Sequence, residues 1–207
     1  MPAKTKYSEN DILEAAFSVV RKSGWENCTA RSIAKELGSS TMPIYSCLSS
    51  MEDLKKKIIR KGLDKLLDYQ TRAQTRIDFL DMGLGYVLFA KEEQHLFKLL
   101  FHDTIGGNRL EEITNTSPFH FQPFKSYAMA SLLDRLADSR SLEGFGSEEK
   151  EQILYKAWIF SHGLAVLMNN GVISDLGPED ITALLKETGQ SLIEGAKTLK
   201  RKEKTHE

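Results

Sequence analysis

Between Thr41 and Ser46 the chain presents Thr41, Met42, Tyr45 and Ser46 at spacings that share one face of a short helix, with Ile44 and Leu48 on the other. Thr41 and Met42 suit contact with thymine methyls. Tyr45 can bond a phosphate, and Ser46 can do either. None of the four is Arg, Lys, Asn or Gln, so the strongest bidentate base readers are missing. Phosphate contacts and DNA shape must then supply much of any recognition. Arg31 is the best charged candidate near a groove edge, with Thr29 and Ser40 beside it in the same short stretch. Lys4 and Lys6 could act as an arm along the backbone or minor groove. Lys55 to Lys57 form a basic run that reads either as a solvated helix face or as a phosphate contact. Tyr45 has a plainer reading too, as a packing residue between helices.

A second group lies further along. Phe101, His102, Phe121, Tyr127, Trp158 and His162 mix apolar walls with polar handles, as small-molecule sites in helical domains do. A structural histidine is the competing reading for each imidazole.

Catalytic and metal chemistry find less support. His95 and His102 lie seven apart, and His120, His162 and Asp103 could be added. No His-x-x-x-His or Glu-x-x-His pair supports a metal site, and no phosphate-binding glycine loop or nucleophile motif occurs. No catalytic residue, metal or cofactor is expected. A metal- or small-molecule-dependent helical enzyme and a dimerisation module without DNA binding are the alternatives to a DNA reader. Cys28 and Cys47 read as small packing residues.

These residues need helices to hold them, and the pattern is helical almost throughout. Ser8-Glu9-Asn10-Asp11 resembles a capping box, followed by an apolar stripe of Ile12, Ala16 and Val20. Gly24 stops that helix. A second starts near Thr29, buries Ile33, Ala34 and Leu37, and ends at Gly38. A third spans roughly 41 to 48, with Pro43 tolerated in its first turn. Helix, short helix, glycine turn, short helix is the arrangement of a helix-turn-helix. Ser49-Ser50-Met51-Glu52 reads as another capping box, opening a helix over about 50–72. Further helices are expected near 76–92, 94–103, 120–139, 147–171 and 179–200, with 104–119 the most loop-like stretch. The expected fold class is all-α. Residues 1–52 form a helix-turn-helix DNA-binding domain, and 53–207 a helical effector-binding and dimerisation domain.

Ile12-Leu13-x-Ala15-Ala16, Gly24, Thr29-Ala30-Arg31-x-Ile33-Ala34, Leu37-Gly38, Ile44-Tyr45 and Glu52-x-Leu54 together resemble the N-terminal signature of the tetracycline-repressor (TetR) family. The stretch from Phe89 to Phe101 is similar to the middle of that family's effector domain. Trp158-x-x-x-His162-Gly163 is similar to a Trp-His-Gly motif in one branch. The resemblance implies repression by a homodimer that leaves a palindromic operator when a small molecule binds. Met51 stands where the family usually has a lysine, and Leu48 where an aromatic is common.

Composition agrees with this reading. The chain has 207 residues, 41% hydrophobic and 28% charged, which is neither disordered nor fibrous. Its net charge of −1 hides an asymmetry. Residues 1–60 hold ten Lys and Arg against seven Asp and Glu, leaving −4 for the remainder. No apolar run approaches the ~20 residues needed to span a bilayer, and the N-terminus lacks a signal-peptide segment. A cytoplasmic protein is expected. The last two long helices carry apolar residues beyond one face, with Ser161, Gly163, Ala165, Gly189 and Gly195 small enough for close approach. They are expected to form a four-helix dimer interface. The ligand expected is apolar or aromatic with at least one hydrogen-bonding group, acting through the fourth helix.

Overall fold

The computed structural model describes residues 7–72, 75–101, 134, 136, 139–174 and 176–203. The described elements are α1 (Glu9–Ser23), a 3-10 turn (Trp25–Asn27), α2 (Ala30–Leu37), α3 (Met42–Cys47), α4 (Met51–Thr71), α5 (Asp78–Glu92), α6 (Gln94–Phe101), a second 3-10 turn (Arg140–Leu142), α7 (Ser147–Asn169) and α8 (Pro178–Glu203). Among the described residues there is no strand. The all-α expectation therefore holds, with helix ends within about two residues of most of those anticipated. The helix expected over 120–139 and the loop over 104–119 lie almost wholly outside the described residues, although Asp134 and Leu136 are helical.

The chain divides into two compact units. The first takes in the described residues 7–65 and 93–101, and the second those of 66–92 and beyond 133. The division falls inside α4.

In the first unit the caps are where the sequence puts them. Ser8 Oγ accepts from the Asp11 backbone N–H at 3.2 Å, and the Asp11 carboxylate accepts from the Ser8 N–H at 2.7 Å. These backbone and side-chain bonds from Ser8 hold the exposed Asp11 carboxyl below its usual range. Thr29 caps α2 through a bond from the Ser32 N–H. Gly38 ends α2 at φ 63°, ψ 38°, a left-handed conformation that glycine enters without steric cost. One cap differs from expectation. Ser50, not Ser49, opens α4, and its Oγ takes the Asp53 N–H at 3.0 Å. The 3-10 turn at Trp25 was not anticipated. Ile12, Ala16, Val20, Ile33 and Ile44 are each under 5% exposed, so α1, α2 and α3 share one core. α6 packs on α1.

The second unit is built on α5, α7 and α8, each packed against the other two. Phe79, Leu136, Leu142, Phe145, Ile153 and Leu154 form one apolar cluster, and Leu80, Leu84, Val87, Leu164, Ile181 and Leu185 another. The end of α4 crosses α5 in backbone contact. A Cβ on Gly85 would lie 2.1 Å from the Tyr69 carbonyl oxygen and 2.6 Å from Gln70 Cα, so only glycine fits.

Candidate nucleic-acid interface and ligand cavity

α3 has two opposed faces. Ile44 is 1% exposed and anchors the helix. Met42 and Tyr45 are 76% and 75% exposed. The packing reading of Tyr45 is therefore wrong, because its ring lies in solvent. Ser46 is exposed and donates to the Pro43 carbonyl at 3.0 Å. Thr41 is the half-buried N-cap of α3, and Ser40 is exposed just before it. Leu48 lies one residue past the helix, half-buried as its C-cap rather than facing fully inward. Met51, at the start of α4, is 37% exposed.

The flanking candidates separate into free and committed groups. Arg31, the second residue of α2, is exposed. Thr29 is exposed, but its hydroxyl is occupied by the α2 capping box. Lys55 is half-buried, its Nζ 5.4 Å from the centroid of the Trp25 ring. Lys57 bridges Asp53 at 2.8 Å and also bonds Glu9. Those bonds hold its ammonium above the usual lysine value. Lys4 and Lys6 lie outside the described residues. The chain just after them is pinned: Tyr7 Oη donates to the Leu37 carbonyl at 3.2 Å, and Cys47 Sγ donates to the Tyr7 carbonyl at 3.6 Å.

The expected ligand residues are only partly gathered. His102, Phe121 and Tyr127 lie outside the described residues. Phe101 belongs to the first unit, where its ring lies 5.0 Å from that of Phe97. Trp158 and His162 lie together on α7, stacked at 4.9 Å with 22° between planes. His162 Nδ1 pairs with Tyr86 Oη at 2.8 Å. Burial pushes the Tyr86 hydroxyl well above its ordinary value, against a smaller opposing effect of a Trp158 hydrogen bond.

Beside this pair is a cavity of about 50 Å³, lined among others by Gln70, Phe79, Met82, Tyr86, Trp158 and Ser161. Of these, only Trp158 was expected. Gln70 carried a readable signal: it continues the stripe Leu63, Leu66 at helical spacing, which places a polar side chain on a core face. Tyr86 and Met82 sit in a helix apolar nearly all round, where spacing does not single out a lining position. A larger surface groove of about 500 Å³ runs along α8 past Ile77, Leu185, Gly189 and Ile193.

The expectation for the small residues of α7 and α8 changes at three of the five positions. Ser161 and Ala165 are 4% and 1% exposed within the protomer. A Cβ on Gly189 would come within 2.9 Å of the Phe79 ring. All three therefore serve the chain's own core. Gly163 and Gly195 have no neighbour within 4 Å of where a Cβ would stand. Among the described residues no group of three or more His, Cys, Asp or Glu could hold a metal ion. None of the described helices is long and apolar enough to cross a membrane.

No protein-family model matches the chain. Over 183 residues it is 24% identical to an uncharacterised helix-turn-helix-type transcriptional regulator of Mycobacterium tuberculosis, covering 85% of this chain and 77% of the relative. Over 55 residues it is 38% identical to another such regulator, of Bacillus subtilis, covering 27% of each. Three solved structures from Rhodococcus sp. RHA1 share the fold. A protein of unknown function has a TM-score of 0.63 at 18% identity, covering 94% of this chain and 98% of that one. A transcriptional regulator has 0.59 at 19%, covering 91% and 97%. A TetR-like transcriptional regulator has 0.51 at 16%, covering 88% and 93%.

The chain has the fold of a TetR-like transcriptional regulator, with an N-terminal helix-turn-helix and a helical C-terminal part.

Proposed function

We propose that the protein is a DNA-binding transcriptional repressor, a homodimer that leaves a palindromic operator when a small molecule binds. The observation that carries this reading is α3. A six-residue helix holds itself to the core through Ile44 and leaves Met42 and Tyr45 three-quarters exposed. Two large apolar or aromatic side chains in water favour a partner surface. Their place on the second helix of a helix-turn-helix favours the major groove. Thr41 and Ser46 flank them for base or phosphate contact. Arg31, Thr29 and Ser40, with Lys4, Lys6 and a lysine of the Lys55–Lys56 pair, complete the interface. The reading includes a cytoplasmic location.

The functional division runs at about residue 52, with the DNA reader before it and effector binding and dimerisation after. Dimerisation is assigned to the solvent face of α7 and α8, where Ile159, Leu167 and Leu199 are 48%, 41% and 59% exposed. Trp158 and His162, with Phe121 and Tyr127, are the ligand residues of the second unit in this reading. α4 carries the response, since only three residues separate it from α3 and its last turns belong to the second unit. A ligand acts only through its preference for one of two conformations, and a coupling of roughly 1–3 kcal/mol is ordinary.

Selection of bound duplexes from a random pool tests the reading. A two-fold dimer should recover palindromes with half-site centres about one helical turn apart, or a multiple. Recovery of asymmetric sites only, or of none, would count against it.

A further inference from the structure

The cavity in the second unit contains a polar group with no partner. Gln70 is 7% exposed and lines that cavity. Among the described residues nothing hydrogen-bonds its carboxamide. The other polar groups in the described wall are committed: Ser161 Oγ donates to the Ala157 carbonyl at 2.9 Å, Tyr86 Oη pairs with His162, and the Trp158 indole hydrogen-bonds Tyr86. Phe79, Met82 and Leu154 supply apolar walls. Among the described residues no fully buried side-chain nitrogen or oxygen lacks a partner, so the unbonded Gln70 carboxamide is reached by solvent and is available to a molecule that enters the cavity. Its position is also fixed. The Gly85 crossing holds the α4 backbone at Tyr69 and Gln70 directly against α5.

We propose that Gln70 is the polar anchor of this cavity, and that its ligand is a small neutral molecule of the amide or lactam class. A carboxamide presents an acceptor oxygen beside donor N–H groups, and the matching edge is another amide with the same pair reversed. None of the described residues of the cavity wall carries a charge, so they offer an ion no counter-charge. About 50 Å³ admits only a compact molecule. A larger ring requires Met82, the most adaptable side chain in the wall, to move aside. Gln70 is one residue from the end of α4, so a bond to it acts directly on the helix that follows the recognition helix. The proposal rests on the reading of the protein as a ligand-controlled regulator and names the chemistry of that control.

The test uses the whole protein without DNA. 2-Pyrrolidinone is titrated while the side-chain amide resonance of Gln70 is followed by NMR, with acetate and cyclopentane as charged and apolar counterparts. The lactam should bind and shift that resonance. Gln70→Met keeps length and apolar volume, and should weaken lactam binding about tenfold or more. The same variant should melt at about the same temperature, because the Gln70 carboxamide makes no hydrogen bond within the described residues. The proposal is overturned if the lactam does not bind, if acetate or cyclopentane binds as well, or if Gln70→Met binds it equally. A clear fall in melting temperature for Gln70→Met also overturns it, since Gln70 would then be a structural hydrogen-bonding residue. Operator selection is scored separately: lactam binding by a protein that recovers no DNA site would leave the anchor standing and remove the regulator.

Discussion

Arg21, in the last turn of α1, grips the Glu93 carboxylate at the start of α6 with two donors, Nε at 2.7 Å and Nη2 beside it. Glu93 is 4% exposed, and Lys65 of α4 stands 3.7 Å from the same carboxylate. A guanidinium fork suits a carboxylate in both geometry and charge. Three helices of the first unit thus meet at one buried anion. Removing one partner leaves the other buried and poorly paired. Arg21→Ala should therefore cost about 1.5–3 kcal/mol, the upper part of that range being reduced by the half-exposure of Arg21 and by Lys65. Denaturant midpoints for the two proteins measure it. A difference within about 0.5 kcal/mol, ordinary for a surface site, would show the clamp to be dispensable.

Met42 and Tyr45 offer a clean separation of binding from folding. Both are exposed, so Met42→Ala and Tyr45→Ala should leave stability within about 0.5 kcal/mol. Each should weaken operator binding, by about 1–3 kcal/mol where a base contact is lost. Arg31→Ala should weaken all sites alike and lower the salt slope by about one unit. Titrations at three salt concentrations against matched and scrambled duplexes distinguish these outcomes. An unchanged slope would remove Arg31 from the phosphate contacts.

The glycines of the second unit should respond in opposite ways. Gly85→Ala forces a methyl into the Tyr69 carbonyl, a backbone atom with little freedom to move. A loss of about 3 kcal/mol or more is expected, at the upper end of overpacking costs. Gly163→Ala and Gly195→Ala meet no neighbour and sit in helix interiors, where alanine is favoured by up to about 1 kcal/mol. If α7 and α8 form the dimer interface by close approach, the same two substitutions should weaken association while the fold is kept. Analytical ultracentrifugation beside thermal melts reads both. Unaltered association in the double variant would place the contact elsewhere on these helices.

Stability should fall in mild alkali through Cys28. Its thiol is 5% exposed, and burial pushes its pKa up from 9.0 to about 11. Between those values the unfolded chain releases a proton that the folded chain keeps. Stability is thus fully present below about pH 9 and declines toward pH 11, by at most about 1.4 kcal/mol per pH unit from this group. Above pH 10 the raised hydroxyl of Tyr86 acts in the same direction. Denaturant unfolding at pH 8 and pH 10.5 measures the fall. Cys28→Ala should show a shallower one, and an identical pH dependence in that variant would exclude the assignment.

The sequence by itself determined most helix ends and the exposed face of α3. Ser8, Thr29, Gly24 and Gly38 act within one or two turns, so helix ends can be read from neighbouring residues. The exposed face of α3 follows from a period of 3.6 once Ile44 is taken as buried. Which polar groups are spent was decided by tertiary structure alone. Lys55 lies over Trp25, thirty residues away in sequence, and Lys57 is drawn to Glu9, so a basic run that looks uniform is not. The cavity was hidden for the same reason. Gln70 and Tyr86 are brought together by a backbone crossing at Gly85, and His162 reaches Tyr86 from 76 residues away. Spacing along a helix fixes the face of a side chain, but which neighbour fills or vacates the space before it depends on packing between helices.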